Sequence, residues 1–543
     1  MTIKIVTILA YLGVVFYLGF LGWRQTKEAT DYLLAGRKMR AMVMSLSYGA
    51  TFVSTSAIIG FGGVAGAFGF PLMWLTFANI ALGVFLAMAV IGKRVRRMGL
   101  ALDSHTFPEL LGRRFRSRFI QGFAALVIFL FIPVYAAAVL IGIARMVEVS
   151  LGVGYNAALL GFTLILALYV ITGGLKAVMY TDAFQGFIMM AMMFILVWVT
   201  YSKLGGIIPA HQALTDLAAL VPEKLRAGGM AGWTQGTAFA SPIGLTIYTT
   251  IVYGVGVGVL AQPQLAVRFM TVPSDRELNR GVVYGGVFIL LMVGVAYSVG
   301  ALSNAVFHSM FGKISLQMAE GNLDKVMPVY IETVMPSWFS TLFLMSMFAA
   351  AMSTVSAQYH VGGTSLGHDF CVRAAGWLKE EKGGAFKITR LGVAITIVLT
   401  LVWSWFLPES IIARATAFFF GLCAASFLPA YLLGLYWRRV NRPGAVASML
   451  AGFAGSMFWL LFVHEKEAAA IGLCQALFGT PTLASDAARG SWVWLLQWVD
   501  PNVVALPVSL LVCVLVSLAT RPMDPAHVER CYRHIRPARR SDG

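Results

Sequence analysis

The sequence predicts an all-α polytopic membrane protein with about thirteen transmembrane helices, and three observations carry that expectation. The 543 residues are 59% hydrophobic and only 12% charged, against about 25% charged in a soluble domain. Apolar runs long enough to cross a bilayer recur along the whole chain. Two of them, the second and the seventh, are interrupted by glycines at corresponding places, the mark of an inverted internal repeat.

The expected spans are 3–23, 43–67, 72–92, 119–147, 155–172, 182–202, 241–262, 281–306, 338–361, 390–407, 411–436, 443–463 and 501–520. The first run, Ile3 to Trp23, has no small-residue cleavage site after it and reads as a span, not a signal peptide. With the N-terminus outside and the C-terminus inside, 31 of the 41 lysines and arginines fall on inner segments. That asymmetry sets the orientation in a cell inner (plasma) membrane. The net charge of +17 is then topology and attraction to anionic membrane lipid, and no nucleic-acid partner is expected. The five cysteines show no CxxC spacing, and only Cys474 falls in an outer loop, so no disulfide is expected. The longest loops, about 40 residues, are too short for a catalytic domain of ordinary size.

The chain divides into a first helix and inner loop (1–42), a first repeat (43–202), an outer loop (203–240), a second repeat (241–436), two further spans with an outer loop (437–520) and a basic tail (521–543). In the first repeat, Ser45 to Phe70 has the length of a span but carries six glycines and a group of hydroxyls around Thr51 to Ser56. An unwound helix at mid-membrane leaves backbone groups unpaired unless they line a cavity or hold an ion. A broken helix marks a binding site; close packing through small residues is the alternative. Gly60, Gly62 and Gly63 are the expected hinge. The second inner loop is strongly basic, and its middle, Ser104 to Leu111, suits a short interfacial helix with Pro108 early in it. Pro133 suggests a kink in the fourth span. Asp182, at the start of the sixth, reads either as a helix N-terminal carboxylate or as part of an inner ion path.

The second repeat opens on span seven, where Gly254, Gly256 and Gly258 precede Gln262-Pro263. Five spans separate it from span two, so the two copies cross in opposite directions. In span nine Ala350, Ser353 and Thr354 fall within one turn, which lets a carbonyl and two hydroxyls meet at one spot; back-bonding of those hydroxyls to their own helix is the alternative. His360 and His368, eight residues apart without a carboxylate between them, make no convincing metal pair. The segment 464–500, with three tryptophans, suits an interfacial hairpin, and the tail reads as mostly unstructured.

Several motifs in order resemble the sodium:solute symporter family: DYLLAGR after span one, GGLKAVMYTDAFQ at spans five to six, AQPQLAVRFM ending span seven and AAAMSTVSAQ in span nine. The resemblance, closer to the proline, pantothenate and monocarboxylate branches than to the sugar branch, implies a LeuT-like core of five plus five helices. One helix precedes that core and two follow it. It implies sodium as the coupling ion, bound by the carbonyls of Ala50, Val53 and Ala350 and the hydroxyls of Ser353 and Thr354, with Asp182 on the inner exit path. Phe52 stands where some members carry Asp or Asn, QPQ replaces QPH, and Val257 stands near the sugar branch's gating tyrosine. These departures favour a small organic acid or amino-acid-like solute. Substrate-facing candidates are Ser54, Ser56, Gly60, Gly62, Trp74, Tyr135, Tyr253 and Gln262.

The expected function is sodium-coupled symport of a small solute by alternating access. A proton-coupled symporter on the same fold is the rival and needs a titratable group such as Asp182 or His360. A membrane enzyme would need paired carboxylates or a nucleophile with its base inside the spans, and a solute sensor an appended signalling domain. The sequence carries neither feature and leaves the oligomeric state open.

Overall fold

The structure, a computed structural model, describes residues 2–25, 33–172, 175–377 and 384–535; Gly173, Gly174 and the start of the DYLLAGR motif lie outside them. Among the described residues every regular element is helical. The elements used below are α1 (Thr2–Gln25), α2 (Ala41–Phe52), α3 (Ser56–Phe68), α4 (Phe70–Ala101), α5 (Phe107–Arg114), α6 (Arg118–Leu151), α7 (Tyr155–Thr172), α8 (Leu175–Lys203), α9 (Pro242–Ala261), α10 (Pro263–Phe269), α11 (Asp275–Phe311), α12 (Val326–Val334), α13 (Ser337–Ala374), α14 (Gly384–Phe406), α15 (Ile412–Tyr436), α16 (Arg442–Phe462), α17 (Asn502–Ala519) and α18 (Pro525–Tyr532). Eleven helices are long and apolar enough to span a membrane, and the bent pair α2–α3 makes a twelfth. The expected fifth span is α7, whose apolar part, Tyr155–Leu168, is shorter than a full crossing. The count of thirteen is therefore not reached by length and composition among the described residues.

The interior is built from α6, α13 and α15, whose side chains are mostly buried, while α1 and α17 lie at the periphery. Small residues let the interior helices close up: α2 packs on α8 and α11, and α13 on α6 and α8.

The break in span two does not fall where the glycines crowd. Val53 leaves the helix at φ −96°, ψ 90°, and α3 resumes at an angle of 50°. Gly60 keeps helical angles and lies within α3. The glycines serve contact instead: a Cβ on Gly63 would stand 2.0 Å from the Leu323 carbonyl oxygen, and one on Gly300 of α11 2.1 Å from that of Gly62. The expected hinge is corrected accordingly. Span seven shows the same displacement. Gly254, Gly256 and Gly258 stay helical, and the chain breaks at Gln262, with ψ 116°, just before Pro263. Proline disfavours a helical residue ahead of it, so the break belongs to Pro263 and the glycines to packing on Asp500, Ala78 and Phe420.

The expected interfacial helix is α5, capped by Thr106, whose hydroxyl accepts from the Glu109 amide. Glu109 is buried against His105, Arg113 and His368. Burial alone would raise its pKa, but the hydrogen bonds from the two histidines and the Arg113 charge hold it below the usual carboxylate range. The described part of the tail, residues 521–535, is more ordered than expected. Asp524 caps α18, and Tyr532 donates to the Gly434 carbonyl (2.8 Å), docking the helix on the inner loops. At the opposite end of the bundle Trp233 and Asn304 both donate to the Gly66 carbonyl (3.0 and 2.7 Å) and cover the end of α3. The segment 464–500 forms short helices with Trp494 packed on Trp498.

Candidate ion and solute site

Helix α2 ends inside the protein, so the carbonyls of its last turn lack partners along their own helix. Helix α13 crosses at that point and supplies hydroxyls. Ser353 Oγ donates to the Ala50 carbonyl (2.9 Å) and lies 3.2 Å from that of Ala350. Thr354 Oγ1 lies 3.2 Å from the carbonyls of both Ala50 and Thr51. Four of the five expected ligand residues thus meet, and Thr51 joins them. Val53 is the residue that leaves the helix, its amide still bonded to the Gly49 carbonyl (2.7 Å). The cluster is buried and made of neutral oxygens, a donor set that suits a hard monovalent cation at a helix break.

On the other side of the break Ser54 and Ser56 share a hydrogen bond (2.6 Å), and the Tyr135 hydroxyl contacts both. Tyr135 packs on Phe419 and Phe420 of α15, and Thr55 donates to the Val139 carbonyl (2.6 Å). Gln262, fully buried at the second break, donates to the Gly258 carbonyl and accepts from Gln264. Gly60 and Gly62 lie against Ile412 and Met327. Two candidates are not brought in. Trp74 is 59% exposed beside Phe77 on the outer surface of α4, and Tyr253 is half-buried near Asp500. Which face of α4 or α9 each position takes is a registration that apolar runs leave undetermined.

One helical turn back along α2 from Ala50, at Ser47, lies a charged pair of which the sequence announces Asp182 but not Arg268. Asp182 sits within α8, not at its start, so the capping reading fails. Its Oδ2 accepts from Ser47 Oγ (2.7 Å) and from Arg268 Nη2 (3.0 Å). Arg268, on α10, also donates to Ser47, to Thr51 Oγ1 and to the Gln264 carbonyl. Read in the sequence, Arg268 counts among the inner-face charges; the available signal was its place inside the run ending span seven, where an ionisable residue is a functional candidate by default. Beside it a narrow cleft, lined by Gln264, Arg268, His360 and Ser365, reaches His105 on the loop before α5. Its free volume of about 20 Å³ is room for about one water. His368 lies on Glu109, away from this cleft.

Two broken spans, the first ending on a cluster of neutral oxygens, are the arrangement of a secondary transporter. The chain belongs to the sodium:solute symporter family, whose profile matches residues 32–452. It is 29% identical to the sodium/pantothenate symporter of Haemophilus influenzae over 82% of this chain and 88% of the relative. It is 26% identical to the osmoregulated proline transporter OpuE of Bacillus subtilis, over 85% and 89%. The fold is that of a Na+-coupled sialic acid symporter in a substrate-bound outward-open state, with a TM-score of 0.73 at 17% identity, covering 96% of this chain and 98% of the other. Sodium is the coupling ion of this class, and a small organic solute its cargo.

Proposed function

We propose that this symporter takes up a small carboxylate-bearing solute of the pantothenate or proline kind, drawn in by sodium held at the end of α2. The observation that carries the ion site is the seating of Ser353 and Thr354 on the Ala50 and Thr51 carbonyls (2.9 to 3.2 Å). Ala50, Ala350, Ser353 and Thr354 hold the ion, and the Val53 carbonyl completes the set. The solute lies across the break, against Ser54, Ser56, Tyr135 and Gln262, with its carboxylate toward the first turn of α3.

The ion and the solute therefore share one break. Sodium at the carbonyls fixes the geometry of Val53 and so of the residues the solute touches, a coupling that works through differential affinity for two conformations. Release inward requires the α10 half of span seven to move. Arg268 then leaves Asp182, whose carboxylate receives the departing sodium, and the cleft toward His105 widens. A membrane potential contributes about 2.3 kcal/mol per charge per 100 mV, enough for one sodium to drive strong accumulation. The excess of basic residues on the inner segments supports an inner-membrane location with the N-terminus outside.

The test is uptake into proteoliposomes under an imposed sodium gradient and, separately, under a pH gradient, with pantothenate, proline, lactate and glucose as competitors. Uptake driven by sodium and suppressed by the carboxylates is expected. Uptake that follows the pH gradient alone would transfer the coupling to a proton.

A further inference from the structure

On the inner face a pocket of about 380 Å³ opens between α5, the start of α6 and α18, within the size range of small-molecule sites. It is lined by Arg113, Arg116, Arg118 and Arg530, with Ser117 and Gln121 as further hydrogen-bonding groups. Two of the arginines are committed: Arg113 to Glu109 (2.6 Å) and Arg116 to Asp524 (3.3 Å). Arg118 and Arg530 have no ion-pair partner among the described residues, and both are exposed. The other nearby carboxylates are directed elsewhere: Asp103 to Arg37 and His105, Glu529 to Arg438, and the buried Asp369 to Thr106 and the Gln121 amide. The pocket thus carries two uncompensated guanidinium groups, the side chain best matched to phosphate oxygens.

Its depth relative to the membrane follows from its neighbours. Phe119, the residue after Arg118, is 48% exposed and stacks on Phe123 further into the apolar part of α6. Along α6 no charged residue follows Arg118 until Arg145, so the pocket stands at the end of that helix's apolar stretch, the level of a headgroup phosphate.

We infer that this pocket binds the phosphate group of an anionic phospholipid, which ties α18 to the loop between α4 and α6. Arg118 and Arg530 grip the phosphate from opposite walls, and the acyl chains run beside Phe119. Basic pockets on the cytoplasmic side of helix bundles take such headgroups.

The full-length protein in phosphatidylcholine nanodiscs with rising fractions of phosphatidylglycerol tests this, through the midpoint of thermal unfolding. A saturable rise is expected. The double substitution R118Q/R530Q should raise the half-saturating fraction by about tenfold or more, at about fivefold per arginine. R276Q/R280Q, which removes the same charge elsewhere on the inner face, should shift it less than about twofold. R530Q alone gives the intermediate shift if the double variant folds poorly. Equal shifts in both double variants, or no response to phosphatidylglycerol, overturn the inference. Inorganic phosphate reproducing the rise in pure phosphatidylcholine assigns the pocket to a free anion and overturns the lipid.

Discussion

Arg268 and Asp182 form an ion pair at 3.0 Å although their side chains are only 1% and 0% exposed. They come from α10 and α8, and Ser47 and Thr51 of α2 complete the group. Three spans are thus held at one point.

A buried pair of this kind is costly to halve. Asp182→Asn leaves a guanidinium without its counter-charge, and Arg268→Gln leaves a carboxylate; each should cost about 3–5 kcal/mol. The double variant D182N/R268Q should recover most of that loss, because an amide pair keeps hydrogen bonds without stranding charge. Thermal unfolding in detergent, analysed as a double-mutant cycle, measures the coupling; losses that simply add would mean that the two residues act independently.

The hydroxyls of α13 give a second outcome. Hydrogen bonds and ligation to a charged group contribute about 1.5–3 kcal/mol each, so Ser353→Ala or Thr354→Ala should raise the half-saturating sodium concentration by about tenfold or more. Val53→Ala keeps the backbone oxygen and should leave that concentration within about twofold. Sodium-dependence curves of uptake decide, and unchanged curves in the double alanine variant would remove the proposed ion from this position.

Much of this was legible in the sequence, and the misses have physical reasons. Span positions follow from apolar length, and one turn of span nine shows that Ala350, Ser353 and Thr354 share a spot; their meeting with Ala50 was legible only through the resemblance of AAAMSTVSAQ to the family motif. The break positions were not. Glycine permits an irregular backbone without requiring one, whereas Pro263 obliges Gln262 to leave the helix. Arg268 escaped because a charge at the inner end of a span reads as topology until its partner is known. Trp233 reaches Gly66 across more than 160 residues, and no local pattern encodes such a contact.

The packing role of the glycines can be separated from a hinge role. At Gly63 an added Cβ meets the backbone of Leu323 at 2.0 Å, while at Gly161 on α7 nothing lies within 4 Å. Gly63→Ala should therefore destabilise by about 1–3 kcal/mol through overpacking. Gly161→Ala should be neutral or stabilise by up to about 1 kcal/mol through helix propensity. Unfolding midpoints of the two variants test this; a well-folded, unshifted G63A would mean that α3 and the Leu323 segment separate easily.

Asp500 yields a dependence on pH. It lies just before the N-terminal end of α17, where its amide donates to Thr249 Oγ1 (2.9 Å) and its Oδ1 accepts from the Asn502 amide (2.8 Å). Burial pushes its pKa up to about 7; the Asn502 hydrogen bonds and the His464 charge act downward, and Glu467 upward. In the unfolded chain the same group ionises near 4. Between about pH 4 and 7 the folded protein therefore retains a proton that the unfolded chain releases, so its contribution to stability falls as pH rises through that window and levels off above it. Asp500→Asn keeps an oxygen acceptor and cannot ionise. Its unfolding midpoint should exceed that of the wild type at pH 8 and approach it at pH 5, with a ceiling of about 4 kcal/mol for a shift of about three units. A difference between the two proteins that stays constant with pH would show that Asp500 ionises in the folded protein as it does in water.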